Sequence, residues 1–447
     1  MANTLKLNQE YPEIKESDKL YQRSLGLIPA GTQTLAKGPG QYVKGIAPKF
    51  ISHGKGSHVW DVDGNEFIDY NMGIGPVSLG YAYEKVDYAI FQQLKNGITF
   101  SMMHPLEVEV AELIKSVIPH TDSVRFSKTG CDVTSAAIRL ARAYTGREKV
   151  LCCGYHGWHD WYISVTDRNK GIPNCIQDLT YTFNYNDLES VIESIDNDTA
   201  CIILEPVKFD EPRENFLHNL KDVCIKNGTL LIFDEMWTGF RLHLGGAQEY
   251  YGVKADLACF SKAVANGMPL SVLTGRGDIM SLLEKDVFFF TTFGGETLSL
   301  AAAKATINEM KDKNVSDFIS IQGNKLIEGY NELAAYLALD FTSCTGLNCR
   351  SMVTFVPNSV NPLHVKSLLQ QELFKRGILW SGFFNMCYSH SDNDVDYTLE
   401  ALEESMKIIK SAAENNSVIS MLKGEPVEPV FRKTSNFHVK PKVSKAV

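Results

Sequence analysis

Polar and apolar positions follow two rhythms along the chain. From Ser57 to Tyr70 apolar residues alternate with polar ones on either side of Asp63-Gly64-Asn65, which predicts a β-hairpin closed by a tight turn. Gly73, Gly75, Pro76 and Gly80 then mark a loop-rich crossing, and helical periodicity runs over 84–94 and again over 106–117. From there to about residue 310 the short apolar runs Val124–Phe126, Val150–Cys153, Ala200–Leu204 and Thr229–Phe233 alternate with helical stretches. Runs of that length between helices predict buried parallel strands in a large, doubly wound, mostly parallel sheet, an α/β fold. Past 310 a long amphipathic helix, a strand over 351–356 and a helix over 395–414 have the texture of a smaller α+β lobe. The expected division is 1–75 as the N-terminal segment of the small lobe, 76–315 as the large domain and 316–420 as the C-terminal small domain. Residues 421–447, where Pro, Lys and small residues follow no period, read as an extended or disordered tail.

Each apolar run of the large domain is followed by residues able to do chemistry: Thr129-Gly130, Tyr155-His156, Glu205-Pro206 and Asp234-Glu235. Open α/β sheets bind ligands beyond the carboxyl ends of their strands, so the site is expected along that edge.

Composition narrows the partners. The chain has 447 residues, 44% hydrophobic and 22% charged, with a formal net charge of −9, so no general positive field draws nucleic acid or anionic lipid. No window approaches the roughly 20 apolar residues that span a bilayer, and a cytoplasmic protein is the simplest expectation. The ten cysteines form neither a CxxC pair nor a Cys/His ligand set, so no metal site is expected.

A carboxylate such as Asp234 at the end of an apolar strand is costly unless a cation or hydrogen-bond donor meets it, although an Asp there also serves as a helix cap. Lys262 lies among small and apolar residues from Ala258 to Gly267. Poor solvation of its ammonium form would favour the neutral amine as a nucleophile towards a carbonyl, the alternative being a lysine whose stem packs while its head reaches water. Thr129-Gly130-Cys131 before a helical segment offers backbone N–H groups and a positive dipole end to a phosphate. Tyr155-His156-Gly157-Trp158 supplies aromatic faces, which pack against protein more often than against a cofactor. A phosphate cradle, an aromatic plate, a buried carboxylate and a desolvated lysine on one edge together describe a pyridoxal phosphate site.

The order of motifs resembles the class III aminotransferases of pyridoxal phosphate fold type I, and within them the glutamate-1-semialdehyde 2,1-aminomutase group. The resemblance is carried by His58–Asn65, Ala136–Arg142 with Thr145-Gly146-Arg147, Tyr155-His156-Gly157, Phe233–Met236 with Thr238–Arg241, and Ser261-Lys262. It implies Lys262 as the Schiff-base lysine and proton shuttle, Asp234 on the pyridine nitrogen, and Tyr155 and Met236 on the two ring faces. It also implies Thr129, Gly130 and Cys131 on the phosphate, Glu205 near the substrate end of the ring, and Thr292 reaching the phosphate of the neighbouring subunit. A homodimer with shared sites follows from this resemblance. Lys37 stands where the aminomutases hold a carboxylate-gripping arginine, and Lys37 and His156 are the expected substrate contacts. Cys131 replaces a threonine, while Asp210 and Glu296 stand where asparagine is common, and 382–390 contains no arginine. The implied activity is amino transfer from a donor such as glutamate to a carbonyl acceptor, possible acceptors including a sugar or phosphorylated compound. The alternative is an intramolecular 2,1-aminomutase acting on an amino aldehyde.

Overall fold

The computed structural model describes residues 8–357 and 361–428, so most of the expected tail, from residue 429 on, lies outside the described residues. The chain divides into two compact units, one of 84–316 and one built from the segments on either side of it.

The unit that contains both flanking segments begins with β1 (Ile51–Lys55), β2 (His58–Asp61) and β3 (Glu66–Asp69), paired antiparallel in that order. Asp61 closes the predicted hairpin: its Oδ1 accepts from the Asp63 and Asn65 N–H groups at 3.0 and 2.8 Å, which fixes the turn around Gly64 at φ 90°.

The other unit holds a sheet of β4 (Ser123–Ser127), β5 (Lys149–Cys153), β6 (Thr180–Thr182), β7 (Thr199–Leu204), β8 (Leu230–Asp234), β9 (Leu257–Phe260) and β10 (Ser271–Gly275). Their order is β4-β10-β9-β8-β7-β5-β6. The pairs from β9 through to β6 are parallel, whereas β10 runs antiparallel to both of its neighbours. This corrects one expectation: Val124–Phe126 is a strand, but its partner in the sheet is the reversed β10 rather than a parallel neighbour. Strands β5, β7, β8, β9 and β10 are buried at every position, which explains why β5, β7 and β8 read as unbroken apolar runs rather than alternations. Ile203 and Ile232 share a core with Val133, Ala136, Ala137, Leu140 and Ala141 of the helix Gly130–Thr145. Its alanines let that helix lie close to the sheet, and each fully buried Ile or Leu contributes about 1.5–3 kcal/mol relative to exposure.

In the C-terminal segment, β11 (Thr342–Leu347), β12 (Arg350–Phe355) and β14 (Phe383–Asn385) form an antiparallel sheet, while β13 (Ile378–Leu379) joins β3 in parallel. The predicted helices appear as Val315–Tyr336 and Asp392–Glu414; β11 and the helix Pro362–Lys375 had no clear signal in the pattern. The first residues of the expected tail are packed: Val427 is buried and its N–H donates to Ser367 Oγ at 3.0 Å. Among the described residues no helix is long and apolar enough to cross a membrane.

Candidate active site

The residues flagged at the carboxyl edge of the large sheet lie at its strand ends. After β4 the chain turns through Lys128 and Thr129 into the helix Gly130–Thr145. Asp132, in the first turn, reaches back: its Oδ2 accepts from Ser127 Oγ at 2.7 Å and from the Lys128 and Thr129 N–H groups at 3.2 and 2.8 Å. Burial raises this carboxyl's pKa, but the Thr129 and Lys128 N–H groups and the Ser127 hydroxyl outweigh burial and hold it below the usual range. With the turn fixed in this way, Gly130 and Cys131 occupy the first two helical positions, whose N–H groups have no acceptor within a helix. Gly130 lies against Met236, whose Sδ a Cβ there would approach to 2.9 Å. Cys131 lies against Gly157 and its sulfur accepts the Trp158 N–H at 3.4 Å; burial pushes its thiol pKa up.

At the end of β8 two consecutive carboxylates take different partners. Asp234 meets His156, Nδ1 to Oδ2 at 2.8 Å, with the two side chains 1% and 0% exposed. The other ring nitrogen, Nε2, lies 3.1 Å from the Cys153 carbonyl, and Asp234 Oδ1 accepts the Met236 N–H at 3.1 Å. Both ring nitrogens face acceptors, the Asp234 carboxylate and the Cys153 carbonyl. The His156 side chain, expected among the substrate contacts, has no exposed surface, and both of its nitrogens are engaged. Glu235 instead accepts from the Ala247 and Gln248 N–H groups at 2.8 and 3.0 Å and from the Thr238 hydroxyl. It anchors the start of the helix Gly246–Tyr251, and burial pushes its pKa up to about 7.

The remaining predicted residues of the same unit follow other strands or lie in a later turn. Glu205, beyond β7, is buried and accepts the Tyr155 N–H at 2.8 Å; the Tyr155 ring is 47% exposed and makes an edge contact with Tyr162. Lys262 follows β9 in the left-handed region at φ 47°, a costly conformation for a side-chain-bearing residue, and its Nζ lies 4.2 Å from the centre of the Trp237 ring. Thr292 is exposed in the turn before the helix Thr297–Asp312. Lys37 belongs to the other unit, at the end of the short 3-10 helix Leu35–Lys37, where its charge lowers the pKa of Asp69 against the larger upward effect of burial. The sequence reading passed over Trp237, and also Lys128, whose Nζ pairs with Glu296 at 2.8 Å. Among the described residues no cluster of His, Cys, Asp and Glu is arranged to hold a metal ion.

The sequence model of the family described as aminotransferase class-III matches residues 42–340. The chain belongs to the class III aminotransferase family. Class III relatives include the 3-aminobutyryl-CoA aminotransferase of Cloacimonas acidaminovorans, 33% identical over 92% of this chain and 99% of its own. The glutamate-1-semialdehyde 2,1-aminomutase of Archaeoglobus fulgidus is 34% identical over 88% of this chain and 100% of its own. Among solved structures, the FumI protein of Sphingopyxis sp. MTA144 superposes with a TM-score of 0.83 at 24% identity, covering 92% of this chain and 99% of that one. The fold is therefore the fold type I transferase architecture, and this class III chain is an enzyme that uses pyridoxal 5′-phosphate.

Proposed function

We propose that the chain moves an amino group from a donor, with glutamate the first candidate, to a carbonyl acceptor, and that the sheet edge described above is its active site. The observation that carries this reading is Asp234, a carboxylate buried at the end of β8 with one oxygen on His156 Nδ1 at 2.8 Å. The residues fit pyridoxal 5′-phosphate. A helix N-terminus that begins at Gly130 suits a phosphate, a buried carboxylate suits a protonated ring nitrogen, and Lys262 supplies an amine. When bound, the cofactor supplies an aldehyde for nitrogen and a ring that withdraws electrons from the reacting carbon.

The protein's own part is positioning and proton handling. Asp234 holds the ring nitrogen's proton, and His156 keeps Asp234 oriented in a dry setting. Thr129, Gly130 and Cys131 bind the phosphate, Met236 and Tyr155 enclose the ring, and Glu205 sets the position of Tyr155 through its backbone. Lys262 holds the cofactor at Nζ and, when free, carries the substrate proton on the same atom. The absence of arginine from 382–390 and the lysine at position 37 favour an acceptor rich in hydroxyl or phosphate groups over a plain amino-acid carboxylate.

The enzyme is further proposed to act as a homodimer, with Thr292 reaching the partner's cofactor phosphate. The exposed Phe91, Leu94, Phe100, Met102 and Met103, the last two 80% and 83% exposed, support an apolar contact surface on this unit. A second reading, the intramolecular aminomutase, is supported by the 34% identity to the Archaeoglobus fulgidus enzyme.

The test is the visible spectrum of the purified protein during separate additions of glutamate, alanine and a keto sugar nucleotide with its amino counterpart. Bleaching by a donor and recovery with a keto compound establishes the transferase. No bleaching by any donor, with an amino aldehyde isomerised, puts the aminomutase in its place. Lys262→Ala should lose the band of the lysine-linked cofactor, and retention of that band would refute the lysine's role.

A further inference from the structure

We propose that Lys128 and Glu296 form a charged strap that fixes the phosphate-binding turn Thr129–Cys131 against the turn Thr291–Gly295. They would then be positioning residues for the cofactor phosphate. This rests on the site assignment above and accounts for Glu296, which stands where asparagine is common.

The ammonium and carboxylate meet at 2.8 Å with side chains only 19% and 12% exposed, so water screens the pair weakly. Each end is anchored. Glu296 caps the helix Thr297–Asp312, accepting from the Leu298 N–H and from Ser299 Oγ, both at 2.6 Å. Lys128 is held through its own N–H on Asp132, the carboxylate that also fixes Thr129. The Thr291–Gly295 turn is itself closely packed. A Cβ on Gly294 would lie 2.9 Å from the Phe126 carbonyl oxygen at the end of β4, and one on Gly295 would lie 2.6 Å from the Glu107 carboxyl carbon. Glu107 is itself tied down, accepting the His104 N–H at 2.9 Å. Burial raises the Glu296 carboxyl's pKa, but Lys128, the Ser299 hydroxyl and the Leu298 N–H together outweigh burial and hold it below its ordinary value. The strap thus joins the turn proposed for one cofactor's phosphate to the turn that carries Thr292.

A strap and a bare charge effect predict opposite signs. If Glu296 only repelled the phosphate, Glu296→Gln would tighten cofactor binding; as half of a strap, its loss loosens binding although the glutamine can still cap the helix. The experiment measures the dissociation constant of pyridoxal 5′-phosphate from the full-length apoenzyme and the phosphorus NMR shift of the bound phosphate. It is run for wild type, Lys128→Met, Lys128→Arg, Glu296→Gln and the Lys128→Met/Glu296→Gln double variant, with melting curves confirming that each is folded. Expected are losses of about tenfold for Lys128→Met and Glu296→Gln, the scale of coupling between contacting partners. The double variant should be no worse than Lys128→Met, Lys128→Arg should bind within about twofold of wild type because it restores the charge, and the phosphorus shift should move in the weakened variants. Tighter or unchanged binding by Glu296→Gln, or a double variant equal to the product of the single ones, overturns the strap while leaving the site assignment intact. A wild-type protein that takes up no cofactor overturns both.

Discussion

His156→Leu isolates the electrostatics on which the site assignment stands. The substitution keeps an apolar body among Trp161 and Tyr162, whose rings lie 5.9 and 5.3 Å from the imidazole, but removes the donor facing Asp234. The Cys153 carbonyl keeps the Glu205 N–H at 3.2 Å, so the cost falls on Asp234, which retains only the Met236 N–H at 3.1 Å among the contacts described. Leaving a buried acceptor without its donor costs about 1–3 kcal/mol, more when the acceptor is a carboxylate, and the surviving backbone donor places the expected loss at about 3 kcal/mol. Urea unfolding of the apoenzyme reads this directly. The double variant Asp234→Asn/His156→Leu has no charge to strand and should lose about 2 kcal/mol less than the sum of its parts. With cofactor bound, the ring nitrogen offers the missing donor and the deficit of His156→Leu should shrink. A loss below about 1 kcal/mol in the apoenzyme would show that Asp234 does not depend on the ring, and the argument would fail.

Glu235 gives a pH signature. Its carboxyl, raised from 4.5 to about 7 chiefly by burial, holds its proton to higher pH in the folded state than in the unfolded one. The folded state therefore binds more protons between about 4.5 and 7, and stability falls by up to about 3 kcal/mol as pH rises through that window, then levels. Glu235→Gln should flatten this part of the curve, read as the urea midpoint from pH 5 to 8, and an unchanged slope would count against the assignment. Gly157→Ala places a Cβ at φ 106° and 2.4 Å from Cys131 Sγ. It should cost about 2 kcal/mol or more and weaken cofactor binding. Adding Cys131→Ala should recover part of the loss by removing the sulfur while leaving the backbone strain. Melting temperature and cofactor affinity check this, and a Gly157→Ala protein matching wild type in both would refute it.

Much of the edge was legible because buried parallel strands announce themselves as apolar runs, and the first polar residue after each run falls at the strand's carboxyl end. Asp234, Glu205 and Tyr155 were found in this way. Strand β10 was not found: Ser271-Val272-Leu273-Thr274-Gly275 is short and bounded by glycines and polar residues, and its direction is set by pairing that no local pattern encodes. The partner of Asp234 was foreseen as a requirement but not as a residue, because His156 lies 78 positions away and its aromatic neighbours suggested a ligand-facing loop. Lys128 and Glu296 are separated by 168 positions, so each alone reads as a solvated surface charge. Glu235, beside Asp234 in sequence, gave no sign that it caps a helix starting eleven residues later.

The place of β10 also bears on when the site can come into being during synthesis. Strand β4, which leads into the turn proposed for the cofactor phosphate, lies at one end of the sheet order and pairs there with β10. On the ribosome, the turn at Thr129–Cys131 emerges long before Ser271–Gly275, and until that late strand arrives β4 has no hydrogen-bonded neighbour in its sheet. Cofactor capture would then come at the end of this unit's folding, rewarding a finished sheet rather than guiding its assembly.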